Sequence, residues 1–95
     1  MILWWLLACG PDYAEGQVQR GTLNCAWMEV CGQLELLHYD SVDDCVAAAE
    51  AQQYDESQCP NYSSKAMDAC LSAYQSAIDA KDCGATFESA CQVCN

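Results

Sequence analysis

The chain has 95 residues, of which three are Lys or Arg and fourteen are Asp or Glu, so its formal net charge is −11. This charge excludes nucleic acid as a partner, because phosphate contacts need basic side chains that displace counterions. Nine cysteines in so short a chain are typical of a disulfide-stabilised protein from an oxidising compartment, namely the periplasm or the cell exterior.

The first element is an apolar segment, residues 1–8 (MILWWLLA), which ends at Cys9. It is too short to span a membrane, since a spanning helix needs about 20 apolar residues. Its last part, Leu6-Leu7-Ala8-Cys9, resembles the lipobox of bacterial lipoprotein precursors. That resemblance implies that the Cys9 sulfur receives a diacylglyceryl group and that the chain is cut before Cys9. The segment is then a signal peptide, and the mature protein begins at Cys9.

The apolar segment also differs from a usual signal peptide. No Lys or Arg precedes it, and it is shorter than a normal signal h-region. We therefore expect a start codon upstream of Met1, which makes residues 1–8 the end of a truncated signal. The alternative is an apolar N-terminal tail with a chance cysteine. Under the enteric sorting rule for lipoproteins, Gly10 after the lipidated cysteine implies the outer membrane.

The next stretch, GPDYAEGQVQRGT at residues 10–22, is rich in Gly, Pro and polar residues and has no apolar period. It predicts a flexible connection. The expected organisation is a lipid anchor and tether over residues 9–22, followed by one disulfide-rich helical domain over residues 23–95.

Two helices are predicted in the first half of that domain. Apolar residues at helical spacing predict a helix over 23–38; they are Leu23, Trp27, Val30, Leu34 and Leu37. Gly32 within it is expected to let a neighbouring helix approach. Ser41 resembles an N-cap, which predicts a second helix over 42–53 that buries Val42, Cys45, Val46 and Ala49.

Two further helices are predicted in the second half. Residues 54–62 contain Pro60 and several turn-forming residues, so they predict a loop. Ser63 or Ser64 then begins a helix over 64–80. Its apolar stripe consists of Met67, Cys70, Leu71, Tyr74, Ala77 and Ile78. A fourth helix is predicted over 86–94. No segment alternates polar and apolar residues, so no sheet is expected. The predicted fold is all-α, a small bundle of about four short helices joined by disulfides.

Without Cys9, an even set of cysteines is left to pair: Cys25, Cys31, Cys45, Cys59, Cys70, Cys83, Cys91 and Cys94. Four disulfides at about 2–4 kcal/mol each would supply stability that so small a core lacks. Cys25 and Cys31 cannot pair, because they lie about 9 Å apart along one helix. Antiparallel helix hairpins in each half of the chain would favour the pairs Cys31–Cys45, Cys25–Cys59 and Cys70–Cys94.

The remaining polar motifs have structural explanations. Cys91 and Cys94 form a CxxC, but no strand precedes it as in thiol oxidoreductases. The single histidine, His38, is not spaced to complete a zinc site with them and is expected to lie at a helix end. The acidic cluster of Asp40, Asp43 and Asp44 lacks the glycine and late glutamate of a calcium loop, and helix capping explains it.

These observations predict a protein without catalytic activity and without a cofactor. The sequence has no nucleophile and base pair and no glycine-rich phosphate loop. Spaced cysteines in acidic, Ala-rich helices are similar to those of the small cysteine-rich lipoproteins of Gram-negative bacteria. We expect a cell-envelope interaction or structural module, attached to the membrane through Cys9, with an unidentified and basic protein partner. The alternatives are a Cu(I)-binding helical bundle with cysteine thiolate ligands and a secreted disulfide-rich peptide.

Overall fold

The structure, a computed structural model, describes residues 10–94; the apolar segment 1–8 and Cys9 lie outside the described residues. Residues 10–94 contain three α-helices, which are α1 (Tyr13–Val30), α2 (Val42–Ala51) and α3 (Ser64–Ala80), and two short 3₁₀ turns at Leu34–Leu37 and Glu56–Gln58. Residues 10–94 form no strand, and an isolated antiparallel bridge joins Tyr62 to Cys94. The predicted all-α, disulfide-rich class is confirmed, with three helices in place of four.

Helix α1 begins ten residues before the predicted start at residue 23, so most of the predicted tether is helical. Asp12 is its N-cap, and the side chain of Asp12 accepts a hydrogen bond from the backbone N–H of Glu15 over 2.8 Å. Gly16 and Gly21 lie within this helix. Their presence in a polar stretch is typical of a linker, but here they lie where neighbouring side chains contact α1.

Helix α1 also ends eight residues before the predicted end at residue 38. Gly32 adopts a φ of 68°, and its N–H donates to the carbonyl of Glu29, while the N–H of Gln33 donates to that of Met28. These two bonds form a Schellman motif, which satisfies the last carbonyls of a helix. Gly32 therefore terminates α1, and the predicted close helix approach at Gly32 is wrong, because nothing lies near it.

Helices α2 and α3 lie close to their predicted positions. The Ser41 hydroxyl accepts from the N–H of Asp44 over 3.2 Å, and the Ser63 hydroxyl accepts from the N–H of Ala66 over 3.0 Å. Each serine thus caps the helix that follows it. Helix α3 ends at Ala80, and its C-cap, Lys81, adopts a left-handed conformation with a φ of 53°.

Helix α1 is central and packs against both α2 and α3. It runs antiparallel to α2, because Gly21 of α1 lies against Ala49 and Cys25 is bonded to Cys45. A small core between these two helices contains the buried side chains of Cys25, Met28 and Cys45.

Helices α1 and α3 run in the same direction. Gly10 lies against Ser64 at the start of α3, and beyond the other end of α1, Cys31 is bonded to Cys83, just after α3. We call these two ends of the domain the Gly10 end and the turn end. The larger core lies between α1, α3 and the C-terminal segment; its buried members are Tyr13, Cys59, Met67, Cys70, Tyr74 and Val93.

The C-terminal segment, residues 82–94, forms turns and not the predicted fourth helix over 86–94. It returns from the turn end to the Gly10 end, where the N–H of Ser63 donates to the carbonyl of Val93. The return path along the 17 residues of α3 covers about 25 Å, whereas the thirteen residues 82–94 would span only about 20 Å as a helix. A more extended backbone is needed to cover this distance.

All eight cysteines of the domain are paired, but none of the predicted pairs forms. The disulfides are Cys25–Cys45, Cys31–Cys83, Cys59–Cys94 and Cys70–Cys91. The predicted pairs Cys31–Cys45, Cys25–Cys59 and Cys70–Cys94 are wrong because they assumed that the first helix continues to residue 38 and turns back around Tyr39, and that a fourth helix packs on α3. Helix α1 ends at Val30 and the chain reverses before Val42, which places Cys25 opposite Cys45. The C-terminal segment brings Cys83, Cys91 and Cys94 to three levels of the domain.

Candidate interaction surface

Two leucines are exposed at the turn end of the domain. Leu36 is 75% exposed and Leu37 is 53% exposed, and Val30 in the last turn of α1 is 40% exposed. Isolated exposed apolar residues are ordinary, but adjacent exposed leucines on one turn form a local apolar surface.

The local sequence explains why these leucines point outward. The Schellman motif at Gly32 reverses the chain, and the 3₁₀ turn Leu34–Leu37 follows at once. Leu34 packs against the core between α1 and α2, and the N–H of Tyr39 donates to the carbonyl of Leu34 over 3.2 Å. With Leu34 facing inward, Leu36 and Leu37 face solvent.

Carboxylates lie beside this turn. Glu29, Glu35 and Asp40 are exposed and line one shallow recess beside it. The stretch from residue 29 to residue 44 contains five Asp or Glu residues and no Lys or Arg. We define the turn surface as Leu36, Leu37, Glu29, Glu35 and Asp40: two exposed leucines with carboxylates beside them.

Sequence reasoning did not find the turn surface, since it assigned Leu34 and Leu37 to the buried stripe of a helix over 23–38. Gly32 was the signal that could have separated them. A glycine is a common helix terminator. If the helix ends at Gly32, then Leu34 and Leu37 no longer belong to its apolar stripe.

His38 and the acidic cluster do not converge on a metal-binding arrangement. His38 follows the 3₁₀ turn with a φ of 64° and borders a second recess with Glu35 and Asp40. Within residues 10–94, no group of three His, Cys, Asp or Glu side chains is arranged to hold a metal ion. Asp44 lies in the first turn of α2, as the capping interpretation predicted.

The two cysteines of the CxxC are bonded to different partners, Cys91 to Cys70 and Cys94 to Cys59. They therefore do not form the exchangeable pair of a thiol oxidoreductase. The other four cysteines of the described domain are paired as well.

A groove of about 440 Å³ lies between α1 and α3. Val18, Leu23 and Leu71 provide its apolar side chains, and Gln19 and Gln75 lie at its border. The groove has no charged residue among those that line it, which distinguishes it from the turn surface.

Two titratable groups at the Gly10 end have shifted pKa values. Burial raises the pKa of Tyr62, and the negative charges of Asp12 and Glu56 raise it further; the Tyr62 hydroxyl donates to the carbonyl of Pro11 over 2.7 Å. The hydroxyl and the N–H of Ser57 donate to Asp55 and lower the pKa of its carboxyl. Neither group lies at the turn surface.

Four disulfides indicate an exported protein, because such bonds persist in oxidising compartments. The helices of residues 10–94 include none with the length and apolar character needed to cross a membrane. Comparison with protein-family models, curated proteins and solved structures finds no match to this chain.

Proposed function

We propose that this protein is a lipid-anchored interaction module of the cell envelope, attached to the outer membrane through Cys9 and without catalytic activity. The observation that carries the proposal is that the number of cysteines is odd and the disulfides use an even number of them. Of nine cysteines, eight are paired within the domain, so Cys9 is the one left over. It is also the cysteine that ends the lipobox-like motif, and lipid attachment would use the one cysteine that the four disulfides leave over.

The connection between Cys9 and the domain is short. Gly10 has a φ of 74°, and a Cβ at this position would collide with the carbonyl of Ser64. The carbonyl of Pro11 accepts from the Tyr62 hydroxyl. The chain is therefore packed against the domain from Gly10 onward, and a lipid on Cys9 would hold the Gly10 end next to the membrane.

This attachment would orient the domain. The 18 residues of α1 span about 27 Å, so the turn end would lie that far from the membrane. Interaction in place of catalysis is supported by the surface itself, which has an exposed apolar turn and many carboxylates. A domain held by four disulfides suits a role in which a fixed shape is presented to a partner.

Membrane fractionation of a Cys9→Ser variant tests the anchor. The full-length gene, with its upstream start, is expressed in a bacterium that processes lipoproteins. We expect the wild type in the outer membrane and Cys9→Ser in the soluble fraction, and Thr86→Ser, an equally conservative exposed change, should fractionate as the wild type does. A Cys9→Ser protein that stays in the membrane, together with an uncut N-terminus by mass spectrometry, would refute the proposal.

A thiol count separates this function from copper binding. We expect no free thiol in the lipidated protein purified under oxidising conditions and no uptake of Cu(I). Eight free thiols that bind several Cu(I) ions per chain would replace the structural interpretation of the cysteines, since thiolates are the ligands that Cu(I) prefers.

A further inference from the structure

We infer that the turn surface is the docking site for a protein partner that presents an apolar surface flanked by Lys or Arg. This inference rests on the proposed function, because it names the surface and the kind of partner that an interaction module of this shape would use. The docking site depends on the chemistry of the turn and not on the lipid, so the docking site and the lipid anchor can each fail without the other.

The two exposed leucines supply the first part of the argument. Leu36 and Leu37 are the most exposed large apolar residues of the described chain, and burying them against a partner removes apolar surface from water. The domain cannot bury them itself, because Leu34 already occupies the inward position of the turn. A few apolar side chains that enter a recess commonly provide most of the binding energy of an interface.

The turn is also fixed in place before binding. On its N-terminal side, the disulfide Cys31–Cys83 and the Schellman motif at Gly32 hold the end of α1. On its C-terminal side, the disulfide Cys25–Cys45 ties α2 to α1. A partner would therefore not have to order a mobile loop, which is a major cost of association.

Charge complementarity determines the kind of partner. Glu35 lies in the same turn as the two leucines, Glu29 and Asp40 line a recess beside that turn together with Glu35, and no Lys or Arg occurs from residue 29 to residue 44. These carboxylates attract cationic side chains and repel anionic ones. A lipid surface is a poor alternative, because anionic headgroups would be repelled and the turn end points away from the proposed anchor. The groove between α1 and α3 has no charged lining residue, so it would not distinguish a cationic partner from an anionic one.

The test measures binding of a fluorescent amphipathic helical peptide, with leucines on one face and lysines on both flanks, to the full-length oxidised protein. Leu36→Ser with Leu37→Ser should weaken binding about tenfold. Glu35→Gln with Asp40→Asn should weaken it severalfold and flatten its salt dependence. Circular dichroism confirms that each variant remains folded.

Matched controls test whether the effect belongs to the turn surface. Glu15→Gln with Asp68→Asn removes the same charge from exposed positions toward the Gly10 end and should change the dissociation constant less than about twofold. Val18→Ser alters the apolar groove and should have no effect. Equal weakening by both charge pairs, or loss of binding only in Val18→Ser, would overturn the inference.

Vesicles of phosphatidylethanolamine and phosphatidylglycerol test the membrane alternative. The non-lipidated Cys9→Ser protein should not bind them, and binding that Leu36→Ser with Leu37→Ser removes would show that the turn inserts into lipid, which overturns the inference. If Cys9 proves unmodified but the peptide still binds at the turn surface, the anchor fails and the docking site stands. If the protein is lipidated but Leu36→Ser with Leu37→Ser binds the peptide as well as the wild type does, the anchor stands and the docking site fails.

Discussion

Gly16 of α1 lies directly against the fully buried side chain of Met67 in α3. A Cβ at position 16 would fall 2.6 Å from Cγ of Met67 and 2.9 Å from its Cε. Glycine within a helix costs about 1 kcal/mol relative to alanine, and this cost is offset because the absence of a side chain lets Met67 fill the core between the two helices.

Gly16→Ala is therefore expected to lower the free energy of unfolding by about 1 kcal/mol, because overpacking of roughly 1–3 kcal/mol exceeds the helix propensity that alanine regains. Urea denaturation measures the change. Gly84→Ala is the control, since the nearest atom to its Cβ is at an ordinary contact distance of 3.7 Å, and it should be nearly neutral. If Gly16→Ala instead stabilises the protein, the close contact with Met67 does not limit the packing.

Removal of the disulfide Cys31–Cys83, by serine at both positions, is expected to cost more stability than removal of Cys25–Cys45. The first bond joins residues 52 apart and the second joins residues 20 apart, which corresponds to about 4 and about 3 kcal/mol in the chain-entropy treatment. Urea denaturation of the two double variants compares them.

The same Cys31–Cys83 variant has a local readout at Trp27. The indole N–H of Trp27 donates to the carbonyl of Asp82 over 2.8 Å, and the ring packs edge-on against Phe87. Release of the C-terminal segment near Cys83 should expose Trp27 and shift its fluorescence to longer wavelength. An unchanged spectrum would mean that these contacts hold the segment without the disulfide.

Lys81→Gly is expected to stabilise the protein by about 1 kcal/mol, because a left-handed backbone is costly for residues other than glycine. Lys81 has a φ of 53° at the end of α3. Lys81→Ala removes the same charge but keeps a Cβ, so it is the matched control and should give no such gain. If the two variants are equally stable in urea, any gain in stability comes from removal of the Lys81 charge and not from relief of the left-handed backbone.

Tyr62 is expected to make stability decrease with pH at the alkaline end. The folded state raises the pKa of Tyr62 above its ordinary value of 10.0, so folding favours the neutral phenol. This contribution is fully present below pH 10 and is lost as the pH rises through the pKa of the folded state. Ultraviolet absorbance of the phenolate should show one tyrosine that ionises late, and Tyr62→Phe should remove it and reduce the loss of stability above about pH 10. A profile identical to that of the wild type would contradict the shift.

The sequence predicted α2 and α3 well because their signals are local. Ser41 and Ser63 cap their helices through hydrogen bonds to residues three positions later, and the stripe that contains Met67, Cys70 and Tyr74 faces the core as predicted. The start of α1 also had a local signal, since Asp12 and Glu15 have the spacing of a capping box. The glycines at 16 and 21 obscured this signal, because glycines in a polar stretch usually indicate a linker. Here they contact Met67 and Ala49, which are far along the chain.

The sequence by itself determined the helical class, the even set of eight cysteines and the strongly acidic character of this protein, since composition, helical period and caps depend on near neighbours. Only the tertiary structure decided which cysteines pair and that residues 82–94 run back along α3 as turns. Those outcomes depend on the distance that a segment must cover and on which helix faces meet. Distances between remote residues are fixed by packing, and no local pattern of residues encodes them.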